Sequence, residues 1–324
     1  MTGRVPRAVL GVVVLAALAA LPRVVTPYQL RTGTTLLCLS LMAQGWNFIG
    51  GYAGYAAFGN VAFFGIGAYT TGLLMISKAQ VAFFPALWCG AALSAAVAVA
   101  VGLPVLRLKG HYFAIATLGV AEAAREIADT WDGVTQGSTG IDLPVSSGDA
   151  FFYGTALAFV VVGVAVTALA ARSKLGYGWI AIREDETAAR TLGIPTTRFK
   201  VAAFALSAVF AALAGGITAY ENIHVTPGDF FKIEYTLQMI IACIIGGSGT
   251  VWGPLLGATV YQLLSTFVWS HFLELHPTVL GLIIVIFIVF LPRGLMDVVR
   301  GLAAGAAGHP WQALRERLRA TRVE

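Results

Sequence analysis

The sequence predicts an all-α fold, a polytopic transmembrane helical bundle of about 8–10 spans with broken or re-entrant helices among them. Three observations carry that expectation. Apolar residues make up 58% of the 324 positions and charged residues only 11%, against roughly a quarter charged in an ordinary soluble domain. The mean hydropathy is +0.80. The Lys and Arg residues also fall unevenly between the apolar segments. A soluble fold of this length lacks the polar surface it would need, and a disordered chain would be far more polar.

A bilayer core about 30 Å thick takes roughly 20 helical residues to cross. Cutting the chain at charges, prolines and glycine clusters leaves ten candidate segments: Ala8 to Leu21, Thr34 to Ile49, Val61 to Ile76, Val81 to Leu106, Tyr112 to Trp131, Phe151 to Ala171, Val201 to Tyr220, Tyr235 to Ile245, Pro254 to Ser270 and Thr278 to Leu291. Several are short, Tyr235 to Ile245 above all, so some of them are expected to break or re-enter. With the N-terminus cytoplasmic and all ten crossing, sixteen Lys and Arg lie inside and four outside (Arg23, Arg31, Lys78 and Lys232), with Arg125 within a span. Positive charge is retained on the cytoplasmic side, so both termini are expected there. The first segment has a second reading as a cleavable signal peptide, since Arg4 and Arg7 precede an apolar run ending in Ala17-Leu18-Ala19. The other nine spans keep their orientation either way. Residues 1–292 form the membrane domain and residues 293–324 a basic cytoplasmic tail, in which Trp311, Leu314 and Leu318 recur at helical spacing among four arginines, a pattern suited to a lipid surface.

No catalytic set is visible. The five histidines form no HExxH motif, and no serine stands in a GxSxG turn. Cys38, Cys89 and Cys243 lie in apolar stretches without metal-ligand or disulfide spacing and are expected to be buried small hydrophobes. Gly50-Gly51-Tyr52-Ala53-Gly54 and Gly246-Gly247-Ser248-Gly249-Thr250 lack the Gly-Lys-Ser/Thr that would reach a nucleotide's phosphates. No metal, cofactor or nucleic acid is therefore expected on this chain.

The glycine clusters have another use. Glycine at membrane depth lets a helix break or neighbours approach closely, and freed backbone groups are tolerated where they line a cavity or pack on protein. Both clusters follow a helix and precede an apolar segment, and paired breaks of this kind point to a translocation path. Gly50, Gly51, Gly54, Gly246, Gly247 and Gly249 are candidates to line it. Glu122, Arg125 and Glu126 are charges within a span, where charge is costly. Their spacing places them on one helical face, which is expected to look into the protein, either as an ion pair fixing helix packing or, through Glu122, along the solute path.

The long polar segment from Arg172 to Lys200 holds six of the sixteen inside cations. Within it Glu184 to Leu192 reads as one short helix, with acids in its first turn, Gly193 after its end and Pro195 beyond. Such a helix presented between two spans suits a docking element.

These residues together carry a resemblance to the integral-membrane permease subunits of branched-chain amino acid ABC importers, over most of residues 45–296. It rests on an ordered series: Gly51-Tyr52-Ala53-Gly54 with Phe58-Gly59 and Ala62 to Thr70; Leu108-Lys109-Gly110-His111-Tyr112-Phe113; Gly137-Ser138-Thr139-Gly140-Ile141; Ala181-Ile182-Arg183-Glu184-Asp185-Glu186 with Ala188-Ala189 and Leu192-Gly193; Gly246-Gly247 with Gly249-Thr250 and Trp252-Gly253-Pro254; and Pro292-Arg293-Gly294-Leu295. The first block departs from the family's pattern, with Tyr55-Ala56-Ala57 and Asn60 where Gln-Leu-Ser and His are usual. Asn60 thereby joins the candidate pathway residues. The resemblance implies that the 172–200 loop is similar to the EAA loop of import permeases, with Thr187-Ala188-Ala189 in place of Glu-Ala-Ala, then three residues, then Gly193. Arg183, Glu184, Asp185, Glu186, Ala188, Ala189 and Gly193 would then seat in a cleft of an ATPase. It also implies alternating access without covalent chemistry, a second homologous permease subunit, two ATP-binding subunits carrying ATP and Mg, an external solute-binding protein, and a bacterial inner membrane. Two other readings stand beside it: an importer of urea or short-chain amides, and an ion-coupled secondary transporter using Glu122.

Overall fold

The computed structural model describes residues 15–144 and 148–271, together with residues 278, 281, 282, 285, 294–298 and 301. The described chain is overwhelmingly helical. Its principal helices are α1 (Pro27–Trp46), α2 (Asn60–Ile76), α3 (Phe83–Val105), α4 (His111–Thr130), α5 (Asp149–Ala171), α6 (Lys174–Glu184), α7 (Glu186–Thr191), α8 (Thr196–Asn222), α9 (Ile233–Gly246) and α10 (Gly253–His271). Two two-residue strands, β1 (Ile141–Asp142) and β2 (His224–Val225), pair antiparallel with Ile141 opposite Val225. The expected spans from Thr34 to Ser270 coincide with α1 to α5 and α8 to α10. By length and composition α3, α5 and α8 are each long and apolar enough to cross a membrane, and α2 is a shorter apolar helix. Much of the first segment, most of Thr278 to Leu291 and the basic tail lie outside the described residues.

Local chemistry sets the helix ends. α1 begins seven residues before the expected Thr34, because Thr26 and Gln29 form a reciprocal capping box around Pro27 in the first turn. The expected short helix Glu184 to Leu192 is present as α7, which starts two residues later, and a further helix, α6, precedes it. Asp185 is extended (φ −158°, ψ 110°), and its carboxylate accepts hydrogen bonds from the N–H groups of Thr187 and Ala188. An aspartate placed this way satisfies orphan donors of a new helix, so α6 ends at Glu184 and α7 starts at Glu186.

The bundle is organised around α8, which packs on α1, α2 and α3. Small residues make the closest crossings. A Cβ on Gly67 would stand 2.4 Å from the Ala212 backbone, and one on Gly215 only 2.0 Å from the Phe64 carbonyl oxygen. Without side chains there the backbones approach within packing distance, which replaces a hydrophobic driving force inside a bilayer. Aromatic rings fill the remaining space, Phe63 against Phe204 and Phe48 against Phe210 and Trp179. Cys38 and Cys243 are buried, as expected, whereas Cys89 is exposed on a side of α3 that the other described residues leave open.

Two elements do not run the length of the bundle. α2 starts beside the middle of α8, where the Asn60 side-chain amide donates to the Ser207 hydroxyl. The first turn of α9 meets the same place, the Thr236 hydroxyl accepting from the Val61 N–H at 3.1 Å. The loops preceding these helices, residues 53–59 and 223–232, therefore pass into the bundle, the broken geometry that the glycines and the shortness of the Tyr235 segment lead one to expect.

Candidate functional site

The ends of α1 and α9 meet at the end of the bundle where Arg107, Lys109, Arg172, Lys174, Arg183, Arg190, Arg198 and Lys200 gather, here called the basic end. α1 widens into a π-helical turn, Asn47–Tyr52, and leaves the helix at Gly54 (φ +76°). The Trp46 ring occupies the space a Gly50 side chain would need, and its indole N–H donates to the Ala57 carbonyl at 2.8 Å. α9 stops at Gly246, the chain turns through Gly247 (φ +113°) and Gly249 (φ +72°), and α10 resumes at Gly253. Positive φ is disfavoured for residues with a Cβ. The second turn is pinned by Thr250, whose hydroxyl donates to the Gly247 carbonyl and accepts from the Gly253 N–H. Gly294 packs on it as well: a Cβ there would lie 2.5 Å from the Gly247 nitrogen.

Asn47 joins the two turns. Its side-chain N–H donates to the Thr250 carbonyl at 2.9 Å, while its Oδ1 accepts from the Gly249 N–H at 2.8 Å and from the Cys243 thiol at 3.3 Å. One helical turn earlier the Gln44 amide donates to the Val251 carbonyl at 3.0 Å. Backbone groups freed by the second break are thus satisfied by side chains next to the first, as low-dielectric surroundings require.

The α6–α7 pair lies against these turns. The Arg183 Nη1 donates to the Gly51 carbonyl at 3.1 Å, and its Nε and Nη2 reach the Glu184 carboxylate. Glu186 turns inward. Its carboxylate accepts from the buried Lys200 ammonium at 2.9 Å and from the Tyr55 hydroxyl at 2.5 Å, with Arg190 at 3.1 Å and Lys109 at 3.8 Å around it. Lys200 also donates to the Leu106 carbonyl at 2.8 Å and to the Tyr55 hydroxyl at 3.1 Å, so all its protons have acceptors. Burial alone drives the Glu186 carboxyl upward, but hydrogen bonds from Lys200 and Tyr55 and the charges of Lys200 and Lys109 outweigh it and hold its pKa down to about 2. A cavity of about 560 Å³ opens beside this network, lined among others by Gly54, Tyr55, Phe58, Lys109, His111 and Arg183.

The sequence assigns the glycine clusters to the solute path and the Arg183 to Gly193 segment to docking, as separate sets; the structure brings Gly51, Gly54, Gly249, Arg183 and Glu186 together. Ala189 is buried under α7, Ala188 is exposed, and Gly193 takes φ +82° with nothing near its missing side chain. Asn60 sits apart from this cluster, fully buried at the start of α2. The charged face of α4 is a correction. Glu122 and Arg125 do form an ion pair, but their side chains are 63% and 38% exposed and Glu126 is exposed too. The small residues Thr117, Ala121 and Ala128 take the inward side of that helix, which turns the charges outward. Asn47, Gln44, Tyr55 and Lys200 were missed. The available signal was a pair of amides in an apolar helix just ahead of a double glycine, and a lysine at the very mouth of a span.

Apolar helices stacked through small residues, broken in pairs above a polar helix pair, make this a multi-pass membrane permease. The chain belongs to the family described as branched-chain amino acid transport system / permease component, which matches residues 30–289. It is 31% identical to the high-affinity branched-chain amino acid transport system permease protein LivM of Salmonella typhimurium, over 88% of this chain and 74% of that one. Its identity to the protein of the same name in Escherichia coli is 30%, over 89% and 75%. A probable branched-chain amino acid transport permease protein LivM of Methanocaldococcus jannaschii is 24% identical over about half of each chain. No solved structure matches.

Proposed function

We propose that this chain is the membrane-spanning subunit of an ATP-driven importer, passing branched-chain or related small amino acids delivered by an external solute-binding protein through alternating access. The observation that carries the reading is the α6–α7 pair itself. It presents a polar surface at the basic end while Glu186 and Arg183 fasten it to Lys200 and to the first glycine turn, so force applied to it reaches the broken helices. The basic end is then cytoplasmic, as the positive-inside rule requires, in a bacterial inner membrane. Two ATP-binding subunits hold ATP and Mg and perform hydrolysis. This chain supplies docking through Arg183 to Gly193, and a path beside Gly50, Gly51, Gly54, Asn60, Glu122, Gly246, Gly247 and Gly249.

A second homologous permease subunit completes the path. Glu122 is the twelfth of the twenty residues of α4, and charge at that depth does not face hydrocarbon. A partner subunit or a water-filled space between subunits covers it. Reconstitution of the chain with its partner permease, ATP-binding subunits and binding protein in proteoliposomes tests the reading. ATP-dependent uptake of leucine, isoleucine or valine, absent without the binding protein, supports it. Uptake of urea alone, or uptake driven by an ion gradient without ATP, overturns it.

A further inference from the structure

We propose that Arg183 is the side chain through which displacement of the α6–α7 pair reaches both glycine turns, a positioning residue for the gate at the basic end of the path. The inference rests on the importer reading for its source of motion, and adds to it the filled slot between the first turn and the second.

Arg183 stands in the last turn of α6 and its side chain enters a slot between the two breaks. Nη1 donates to the Gly51 carbonyl at 3.1 Å. The aliphatic stem lies where Gly54 would carry a side chain, Cγ being 2.6 Å from a Cβ built there. On the other side, a Cβ on Gly249 would stand 2.9 Å from Nη1 and 3.1 Å from the Gly51 carbonyl oxygen. The guanidinium thus touches the first turn directly and fills the gap to the second, and Asn47 bonds the second turn to the first. Nε and Nη2 hold the Glu184 carboxylate at 3.2 and 2.9 Å, so the rigid planar fork is oriented at its base as well as at its tip.

The neighbouring network anchors the pair to the bundle. Glu186 and Lys200 pin the start of α7 to α8 and to the Leu106 carbonyl deep in a buried set of partners. Between the two contacts stand Glu184 and Asp185, the second being the extended residue that separates α6 from α7. Both helices are seated on α8, α6 through the fully buried Trp179, whose indole N–H donates to the Phe199 carbonyl at 2.7 Å, and α6 carries Arg183 against the turns. A displacement of the pair therefore moves the guanidinium relative to Gly51 and Gly249. If Arg183 merely satisfied one carbonyl, a lysine ammonium would serve as well; a lever needs the planar fork and its filled slot.

The test uses the complete complex of this chain, its partner permease, the ATP-binding subunits and the binding protein in proteoliposomes, with solute uptake and ATP hydrolysis measured on the same vesicles. Arg183→Ala is expected to lower solute moved per ATP hydrolysed by about tenfold, a size typical of coupling between sites. Arg183→Lys should lower it by less, and Gly249→Ala, which sets a methyl against Nη1, should lower it too. A ratio unchanged in Arg183→Ala, whether both rates hold or both fall together, overturns the proposal. Should Arg183→Ala not assemble, Arg183→Lys decides, and a wild-type ratio there overturns it equally. A wild-type chain that couples to ATP while the variants keep its ratio defeats this inference alone; a wild-type chain that takes up solute without ATP defeats the importer reading on which it rests.

Discussion

Two acid–base pairs of similar composition sit in different surroundings in this molecule. Glu186 and Lys200 are 9% and 4% exposed, and every polar atom between them finds a partner on Tyr55, Leu106, Lys109 or Arg190. Glu122 and Arg125 are paired across one helical turn on the outer face of α4, with their partners confined to that helix. The first pair belongs to the architecture of the chain, since a buried charge survives only when compensated within reach. The second lies on a face that the described residues leave open, one that the proposed partner permease would cover. Pairing alone therefore says little about a charge; where its helix turns it says more.

The largest effect should follow Lys200→Met. Glu186 is left buried without its main partner, and removing one member of such a pair costs about 3–5 kcal/mol. Loss of protease resistance in α6 and α7 measures it, and the double variant Glu186→Gln/Lys200→Met should recover much of the loss. Next comes Gly246→Ala. Its Cβ would fall 1.7 Å from the Gly253 carbonyl oxygen, so α9 and α10 must separate at a cost of about 1–3 kcal/mol, visible as a lower melting temperature in detergent. Gly193→Val should cost about 1–2 kcal/mol, through backbone strain alone at φ +82°, because nothing crowds that position. Uptake should fall more than assembly does.

Acid should release the buried pair. The Glu186 carboxyl is held near 2 in the folded chain against an ordinary 4.5. Its stabilising contribution is therefore complete above pH 4.5 and is lost as pH falls from 4.5 through 2. Amide protection of α6 and α7, corrected for intrinsic exchange, should hold from pH 7 to that window and decline within it. A decline that begins near pH 6 would assign the change to another group.

Most of the helices were legible in the sequence because their signals are local: apolar length, charges at the ends, and glycines that stop α9 at Gly246. The division at Asp185 was legible in principle, as aspartate followed by a polar helical stretch is a capping signal, but the acids Glu184 to Glu186 also read as one acidic first turn. The direction of the α4 charges was harder. Spacing puts Glu122, Arg125 and Glu126 on one face, and only the small residues Thr117, Ala121 and Ala128 on the other reveal which face packs inward. Asn47 and Lys200 act through residues about 200 and 14 positions away. No periodicity encodes such pairings, since they arise when two breaks distant in sequence meet at one end of the bundle.

Amide hydrogen exchange on the purified chain compares the two pairs in a single readout. Lys200→Met should speed exchange throughout α6 and α7 by at least about tenfold, the mark of a lost local stabilisation, whereas Arg125→Met should leave exchange in the rest of the bundle at its original rate. Faster exchange across the bundle in Arg125→Met, with α6 and α7 still protected in Lys200→Met, would contradict the assignment of the buried pair to the chain's own architecture and of the exposed pair to a covered interface.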